Sequence, residues 1–510
     1  GVTTFAADND SHINLALFTY IEGMDPATDW CGWNLTRCGV GETLVTVNEN
    51  MEIVGQLADE WEQTDDTTYR FHIRQGVKFS NGTELTPEIV KDSIQRSIDN
   101  NSRGGDLKIA SIDVDGEYVV FTTDGEYSAF VAQLTEPMTV IVDTTADTSN
   151  YDTMPICTGP YAVSEYVSEE KIVLVANENY WDGAPEIKSI TVKNIGSDTK
   201  ADAMLSGDID LAQGPDATSL SRVENNDDIN IVKVTGTREN DFELNCREGN
   251  PLSDKNLRLA LSYAVDRDVV AQVAGNGYSS PIGTAFPPSV GYDSDKVTAQ
   301  TYDLDKAKQE LIDGGWTLNE KGEEYKEGTD KYRYKEVDGE LMKLKVEVAC
   351  CEDDYSKLYN TVIPPEAEKI GMEYKYTSMD FALMINHLNR QGIDEPEYNI
   401  FYSSIGIPEI LFYWNCFDDD PSLMGSWNVN YISDPELKAI GKEMQKVDPE
   451  DIDGFRKLYG KFQLAYNKKL PSLPMGSGVS YMFFNPKLKN FVPRAHVGWG
   501  AMVLDAYFEE

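Results

Sequence analysis

Histidine is scarce in this sequence: His12, His72, His387 and His496 are the four in 510 residues. They are scattered, which argues against a histidine-rich metal centre, and no CxxC or Cys/His spacing points to zinc. Cations are also few. There are 44 lysines and arginines against 87 aspartates and glutamates, a formal net charge of −43. Nucleic acid and anionic membrane surfaces both repel such a polyanion, so neither is an expected partner. The acid is dispersed with no single-sign tail, and reads as a strongly solvated surface. No run approaches the ~18 apolar residues that a membrane helix needs. The G-x-S-x-G elbow, the P-loop, HExxH and GxGxxG are all absent, so the enzymes they mark are not expected. The seven cysteines are Cys31, Cys38, Cys157, Cys246, Cys350, Cys351 and Cys416, an odd number that leaves at least one thiol free or paired between chains. Cys31 and Cys38 are near enough in sequence to close a small loop. Cys246 and Cys416 could meet only through the fold. The vicinal pair Cys350-Cys351 reads as structural or incidental, with a redox or soft-metal role as the alternative.

What is present suffices for folding. Hydrophobic residues make up 41% of a chain too long for one core, so two or three domains are expected. The start at Gly1-Val2-Thr3-Thr4 reads as that of a trimmed or mature form, and the polar opening GVTTFAADNDSH as the end of a linker. Residues 61–94 hold the clearest pattern. From Trp61 to Arg74 the chain alternates, with Tyr69, Phe71 and Ile73 on one face and Thr68, Arg70, His72 and Arg74 on the other. Ser80-Asn81-Gly82 reads as a turn. Thr86 caps a helix, Pro87 suits its first position, and Glu88 favours the positive end of its dipole. Further strands are predicted at 13–18, 109–114, 118–122, 187–193, 344–350, 372–377, 398–402 and, as the final strand, 481–485. Helices are predicted at 35–44, 355–370, 435–445 and 453–467. Leu257, Ala260, Leu261 and Ala264 share one apolar helical face. Residues 318–342 read as a polar surface hairpin. Strands alternating with helices imply α/β lobes. Trp30 and Trp33, three residues apart in a Gly- and Cys-containing loop, are either core anchors or a flat apolar wall for a ligand. Asn34 and Arg37 are the polar groups beside them.

Leu57-Ala58, Trp61, Tyr69, Phe71, Ile73-Arg74, Gly76-Val77-Lys78-Phe79, Asn81-Gly82 and Leu85-Thr86 together carry a resemblance. The stretch resembles the signature of the extracytoplasmic solute-binding proteins of the peptide/nickel class, solute-binding protein family 5, which feed ABC importers. Other matching segments follow in order: Cys157 to Tyr161, Asn177 to Gly183 (with Glu178 where proline is usual), Ala203 to Asp210, Pro251 to Arg267, Tyr302 to Trp316, and Leu473-Pro474. The resemblance runs from Ile13 to Asn485. It implies an α/β fold of the periplasmic-binding-protein type, class II-like: two lobes with a hinge, plus an extra small α/β domain inserted in the first lobe. Lobe one is then 1–45, 158–255 and 471–510, the inserted block 46–157, and lobe two 256–470. Crossings are expected near Cys246–Asn256 and Leu470–Pro474. The resemblance also implies an extracytoplasmic chain, lipid-anchored in its precursor.

A small solute, first of all an oligopeptide or dipeptide, is expected in an interlobe cleft, for delivery to the membrane permease of an ABC importer. No catalysis, cofactor or resident metal is expected, and the chain is expected to be a monomer. The expected ligand contacts are Trp30, Trp33, Asn34 and Arg37 on one lobe and Tyr402, Ser403, Ser404, Phe412 and Trp414 on the other. Two departures from the family pattern bear on the ligand. Peptide-binding members place an aspartate four residues before a proline to hold the peptide α-ammonium; with Pro408 as that proline, the position is Ser404. Nickel-chelate binders resemble TWGAPY there, and this chain has Ile405 for the tryptophan and Glu409 for the tyrosine. They also set an arginine against a chelator carboxylate, yet no arginine occurs between Arg103 and Arg222. Glu136-Pro137-Met138 stands where the family carries a loop that reaches toward the cleft in some members. Blocked peptides, a glycoside, an opine or amino-acid conjugate, and a nickel or other metal chelate remain alternatives. The rival classes are a secreted hydrolase and a sensory or adhesive surface protein.

Overall fold

A computed structural model describes residues 11–17, 22–48, 52–127, 130–215, 217–274, 280–281, 296–351, 354–380, 383–384, 387–388, 398, 400–405, 417–421, 423–425, 428–447, 451–493 and 503–509. The chain divides into two units, Gly1–Val234 with Ser480–Glu510, and Thr235–Val479.

In unit one the strand His12–Ala16 lies inside the sheet. It runs parallel to Ser189–Lys193 on one side and to Leu211–Gln213 on the other. Lys171–Ala176 and then Tyr161–Val167 extend the sheet antiparallel. Met482 to Phe484 lie antiparallel on Leu211–Gln213. Alternation explains the core: Ile13, Leu15, Ile172, Leu174, Ile190 and Val192 are all buried in one cluster. Lys200 is buried and donates to the carbonyls of Leu17 at 2.5 Å and Gln213 at 2.6 Å, which ties the ends of two parallel strands together.

A second sheet in unit one is antiparallel, in the order Ala58–Asp65, Thr68–Ile73, Tyr118–Thr123, Ile109–Asp115. Tyr69, Phe71 and Ile73 are buried as the alternation predicts. The helix Pro87–Asn100 starts as predicted, with the Thr86 hydroxyl accepting from the Ile89 N–H at 3.3 Å. Its Ile89, Val90 and Ile94 are buried.

In unit two, Glu373–Met379, Lys345–Cys351 and Ile400–Ile405 are parallel neighbours. Glu239 to Leu244 pair antiparallel with Ile400–Ile405. The helices include Lys255–Tyr263, Asp354–Lys369, Pro435–Met444 and Ile452–Lys469. The polar insertion contains a hairpin, Tyr334–Val337 against Glu340–Lys343. Asp338 and Gly339 turn it with φ of 54° and 84°, the left-handed pair that matches strand twist.

Three expectations change. The predicted helix 35–44 is instead Gly32–Arg37. Gly39 takes φ 67°, and the Val40 N–H closes onto the Leu35 carbonyl at 2.9 Å while the Gly39 N–H closes onto Thr36 at 3.3 Å. That double closure stops a helix. The strand over 481–485 is the end of Ser472–Phe484 and is not the last, because Leu488–Lys489 pairs with Tyr507–Phe508 after it. Finally, Cys31 and Cys38 are buried free thiols. They flank a helix, where seven residues at ~1.5 Å each set them about 10 Å apart. A disulfide needs Cα atoms within about 7 Å. Cys416 lies outside the described residues.

Candidate functional site

The loop after His12–Ala16 is fastened at several points. Asp25 is buried and accepts both N–H groups of Arg96, at 2.7 and 2.5 Å, from the helix Pro87–Asn100. The same carboxylate accepts the Ala27 N–H at 2.9 Å. The Asn101 amide donates to the carbonyls of Pro26 and Asp29, both at 3.0 Å. The Tyr166 hydroxyl accepts the Gly23 N–H at 2.8 Å. Gly32 opens the helix Gly32–Arg37 against the 137–138 backbone; a Cβ there would lie 2.4 Å from the Pro137 carbonyl oxygen, so only glycine fits.

This frame presents the two tryptophans differently. Trp30 is 45% exposed, a high value for an indole in a fastened loop. The Arg103 guanidinium lies 3.5 Å from the centre of its ring, a close cation–π contact. Arg103 in turn donates to Glu136 at 2.9 Å, and Glu136 is buried. Arg103 covers one face of the indole, and the residue as a whole stays 45% exposed. Trp33 is half-buried, with Arg37 5.2 Å from its ring centre. Asn34 is buried and donates to the Gly23 carbonyl at 2.7 Å. Trp30, Trp33 and Arg37 therefore share one short stretch of surface, while Asn34 points inward to the loop.

Arg103 and Glu136 were not named as site residues by the sequence. Glu136 sits in the loop that the family pattern marks. Arg103 carries no local signal, because it reaches Trp30 across 73 positions of sequence.

A second buried acid lies close in sequence. Glu42 accepts from Thr158 at 2.8 Å, from the Trp181 indole at 3.0 Å and from Tyr180 at 3.3 Å. Burial pushes its pKa up to about 7, against the lowering effect of those three donors. Arg74 stacks on Trp181 at 4.4 Å. The carboxyl thus joins two segments that the family motifs single out, the one holding Thr158 and the one holding Tyr180 and Trp181.

In unit two, Tyr402, Ser403 and Ser404 lie on Ile400–Ile405, opposite Phe242, Asp241 and Asn240. Phe412 and Trp414 lie outside the described residues, as do Pro408 and Glu409. Chemically, unit one offers an aromatic wall backed by a neutralised cation. Burial pushes the thiols of Cys31 and Cys38 up to about 11 and about 12, so neither is a thiolate nucleophile at neutral pH. Among the described residues no cluster of His, Cys, Asp or Glu could hold a metal ion. No described helix is long and apolar enough to cross a membrane.

The chain is 29% identical over 284 residues to the nickel-binding protein NikA of Staphylococcus aureus, covering 55% of this chain and 57% of that protein. It thus spans a little over half the length of that relative. It is 24% identical over 483 residues to heme-binding protein A of Haemophilus influenzae, covering 86% of this chain and 82% of that one. The solved oligopeptide-binding protein AppA of Bacillus subtilis, in complex with a nonapeptide, matches with a TM-score of 0.80 at 19% identity, over 98% of this chain and 99% of that one. At that identity the likeness shows the fold, the two-lobed α/β periplasmic-binding type. A model of the bacterial extracellular solute-binding proteins, family 5 middle region, matches residues 52–411. With well over half its length matched, the chain belongs to the bacterial extracellular solute-binding proteins of family 5.

Proposed function

We propose that this chain captures a small solute outside the cytoplasm and passes it, unchanged, to the permease of an ABC importer. The observation that carries the reading is the family match over residues 52–411. The unit-one surface is consistent with it: an exposed indole held flat by Arg103 and Glu136 suits binding by contact and desolvation. We propose Trp30, Trp33 and Arg37 as solute contacts in unit one, with Asn34 holding their loop. For unit two the proposal rests on sequence alone and names Tyr402, Ser403, Ser404, Phe412 and Trp414. The chain acts as a monomer, anchored by lipid in its precursor.

A peptide is the first reading of the solute. A metal chelate is the second, favoured by the 29% identity to a nickel-binding protein. Ser404 weakens the first, and the lack of an arginine between Arg103 and Arg222 weakens the second. Native mass spectrometry of freshly purified protein, followed by denaturing release and elemental analysis, separates them. A ladder of masses spaced by amino-acid residues identifies a peptide binder. A single mass with bound nickel identifies a chelate binder. Protein that is empty, and whose melting neither peptides nor nickel–histidine complexes shift, would overturn both. With the released solute as probe, Trp30→Ala should weaken binding about tenfold, as loss of a stacked aromatic does; unchanged affinity removes Trp30 from the site.

A further inference from the structure

The helix Ile452–Lys469 reverses the charge balance of the chain. It carries Arg456, Lys457, Lys461, Lys468 and Lys469 against the single acid Asp453. The whole sequence has about twice as many acids as bases, 87 to 44. One face of this helix is core: Tyr459, Phe462, Ala465 and Tyr466 are buried. Phe417 packs on the rings of Phe462 and Tyr466 at 5.3 and 6.0 Å. The opposite face is ordered too. Lys457, Lys461, Leu464 and Lys468 are exposed and follow the helical repeat, so they form one stripe. Leu464 stands in the middle of it, 39% exposed among cations.

Beside the stripe lies a groove of 370 Å³, shared with the neighbouring helix Pro435–Met444. Ala439, Ile440, Leu464 and Ala465 line its apolar part, and Lys461 and Lys468 stand at its rim. Glu436, the acid at the rim, is engaged by Lys469 at 2.9 Å. Lys461 reaches Glu443 only at 3.8 Å, with both side chains more than half exposed, a pairing that contributes little. Among the described residues Lys457 and Lys468 have no carboxylate partner. One weakly paired lysine, Lys461, and one without a carboxylate partner, Lys468, beside an apolar groove make an unfinished interface.

We propose that this face of unit two docks an acidic polypeptide segment that inserts an apolar side chain into the groove. Charge complementarity selects the acid, because this is a basic island on a polyanion. The concavity selects a polypeptide over an anionic lipid surface: a flat surface would leave the groove empty, and the rest of the chain repels it. The inference is independent of which solute the protein carries.

The test pans random dodecamer peptides on the full chain and counter-selects on Lys461→Glu/Lys468→Glu. All of these side chains are exposed, and a melting curve confirms that the variant folds. Sequences retained by the wild type and lost on the variant should carry Asp or Glu flanking Leu, Phe, Trp or Met. A synthetic peptide of that consensus should bind, lose at least tenfold in affinity on the variant, and weaken with salt. Should the double variant unfold, Leu464→Glu makes the same discrimination alone. The absence of variant-sensitive clones, or clones without the acidic-apolar pattern, overturns the proposal. So does cosedimentation with phosphatidylglycerol vesicles that depends on the same lysines, which would assign the face to a membrane.

Discussion

Glu42 is an acid in a place that disfavours charge. Burial raises its pKa from 4.5 to about 7 although Trp181, Thr158 and Tyr180 all donate to it. The sign follows from proton binding. Between those two values the folded chain holds a proton that the unfolded chain has released. Its contribution to stability is therefore complete below 4.5 and is lost as pH rises through about 7. Glu42→Gln should remove that dependence. Between pH 4.5 and pH 8 the stability of wild type relative to the variant should fall by on the order of 3 kcal/mol. Urea denaturation of both proteins across that range measures it, and a difference that stays flat would mean the carboxyl is charged throughout. Nothing around Glu42 in the sequence announced this. Residues 35–44 read as a helix, which would have set Glu42 on a helical face; the stop at Gly39 is what lets it turn inward. Arg103 was illegible for a related reason, since a guanidinium stacked on an indole leaves no mark on the residues next to it.

Elements whose determinants are local were legible, and those held by distant partners were not. The helix Pro87–Asn100 announced itself through Thr86, Pro87 and Glu88. Thr86→Ala removes the hydroxyl that accepts the Ile89 N–H, and should cost about 1 kcal/mol in a denaturant melt; no change would mean water replaces the cap. The loop that presents Trp30 is the opposite case. Asp25 is an ordinary acid in its own stretch of sequence, and its clamp, Arg96, is 71 positions away. Both carboxylate oxygens are engaged in a site where the Asp25 side chain is 9% exposed and that of Arg96 is 21%. Removing one partner leaves the other charged and poorly solvated, so Asp25→Asn should cost about 3 kcal/mol or more. Arg96→Leu made in the Asp25→Asn background should then cost much less than it does alone. Additive effects in that double-mutant cycle would show that the two side chains do not act as a pair.

At the scale of the molecule, ordered motifs across the chain were enough for the family, because each marks a turn or packing contact that the fold reuses. Strand order was not readable. Which strands neighbour each other depends on contacts such as Leu211 with Phe484, formed by segments far apart in the chain. The crossings expected near Cys246–Asn256 and Leu470–Pro474 compare with a division of the chain after Val234 and before Ser480, inside the strands Asn230–Leu244 and Ser472–Phe484. A strand that continues from one unit into the next has no break in its pattern for a reader to find. Charge, by contrast, is fully visible in sequence, and it carries a prediction for the whole molecule. Many cations already sit against acids, as Lys345 does with Glu347 at 2.7 Å and Lys343 with Glu373 at 2.8 Å. The net −43 is therefore surplus, and the compact state bears its self-repulsion. Screening shortens from about 30 Å at 0.01 M salt to about 10 Å at 0.1 M, so much of that repulsion should disappear over this range. The melting temperature should rise steadily from 10 mM to 300 mM salt, and equally for sodium, potassium and choline chlorides, because screening does not depend on the identity of the cation. A rise with one cation alone would instead indicate a specific binding site. A flat response would mean that the unfolded chain repels itself as strongly as the folded one does.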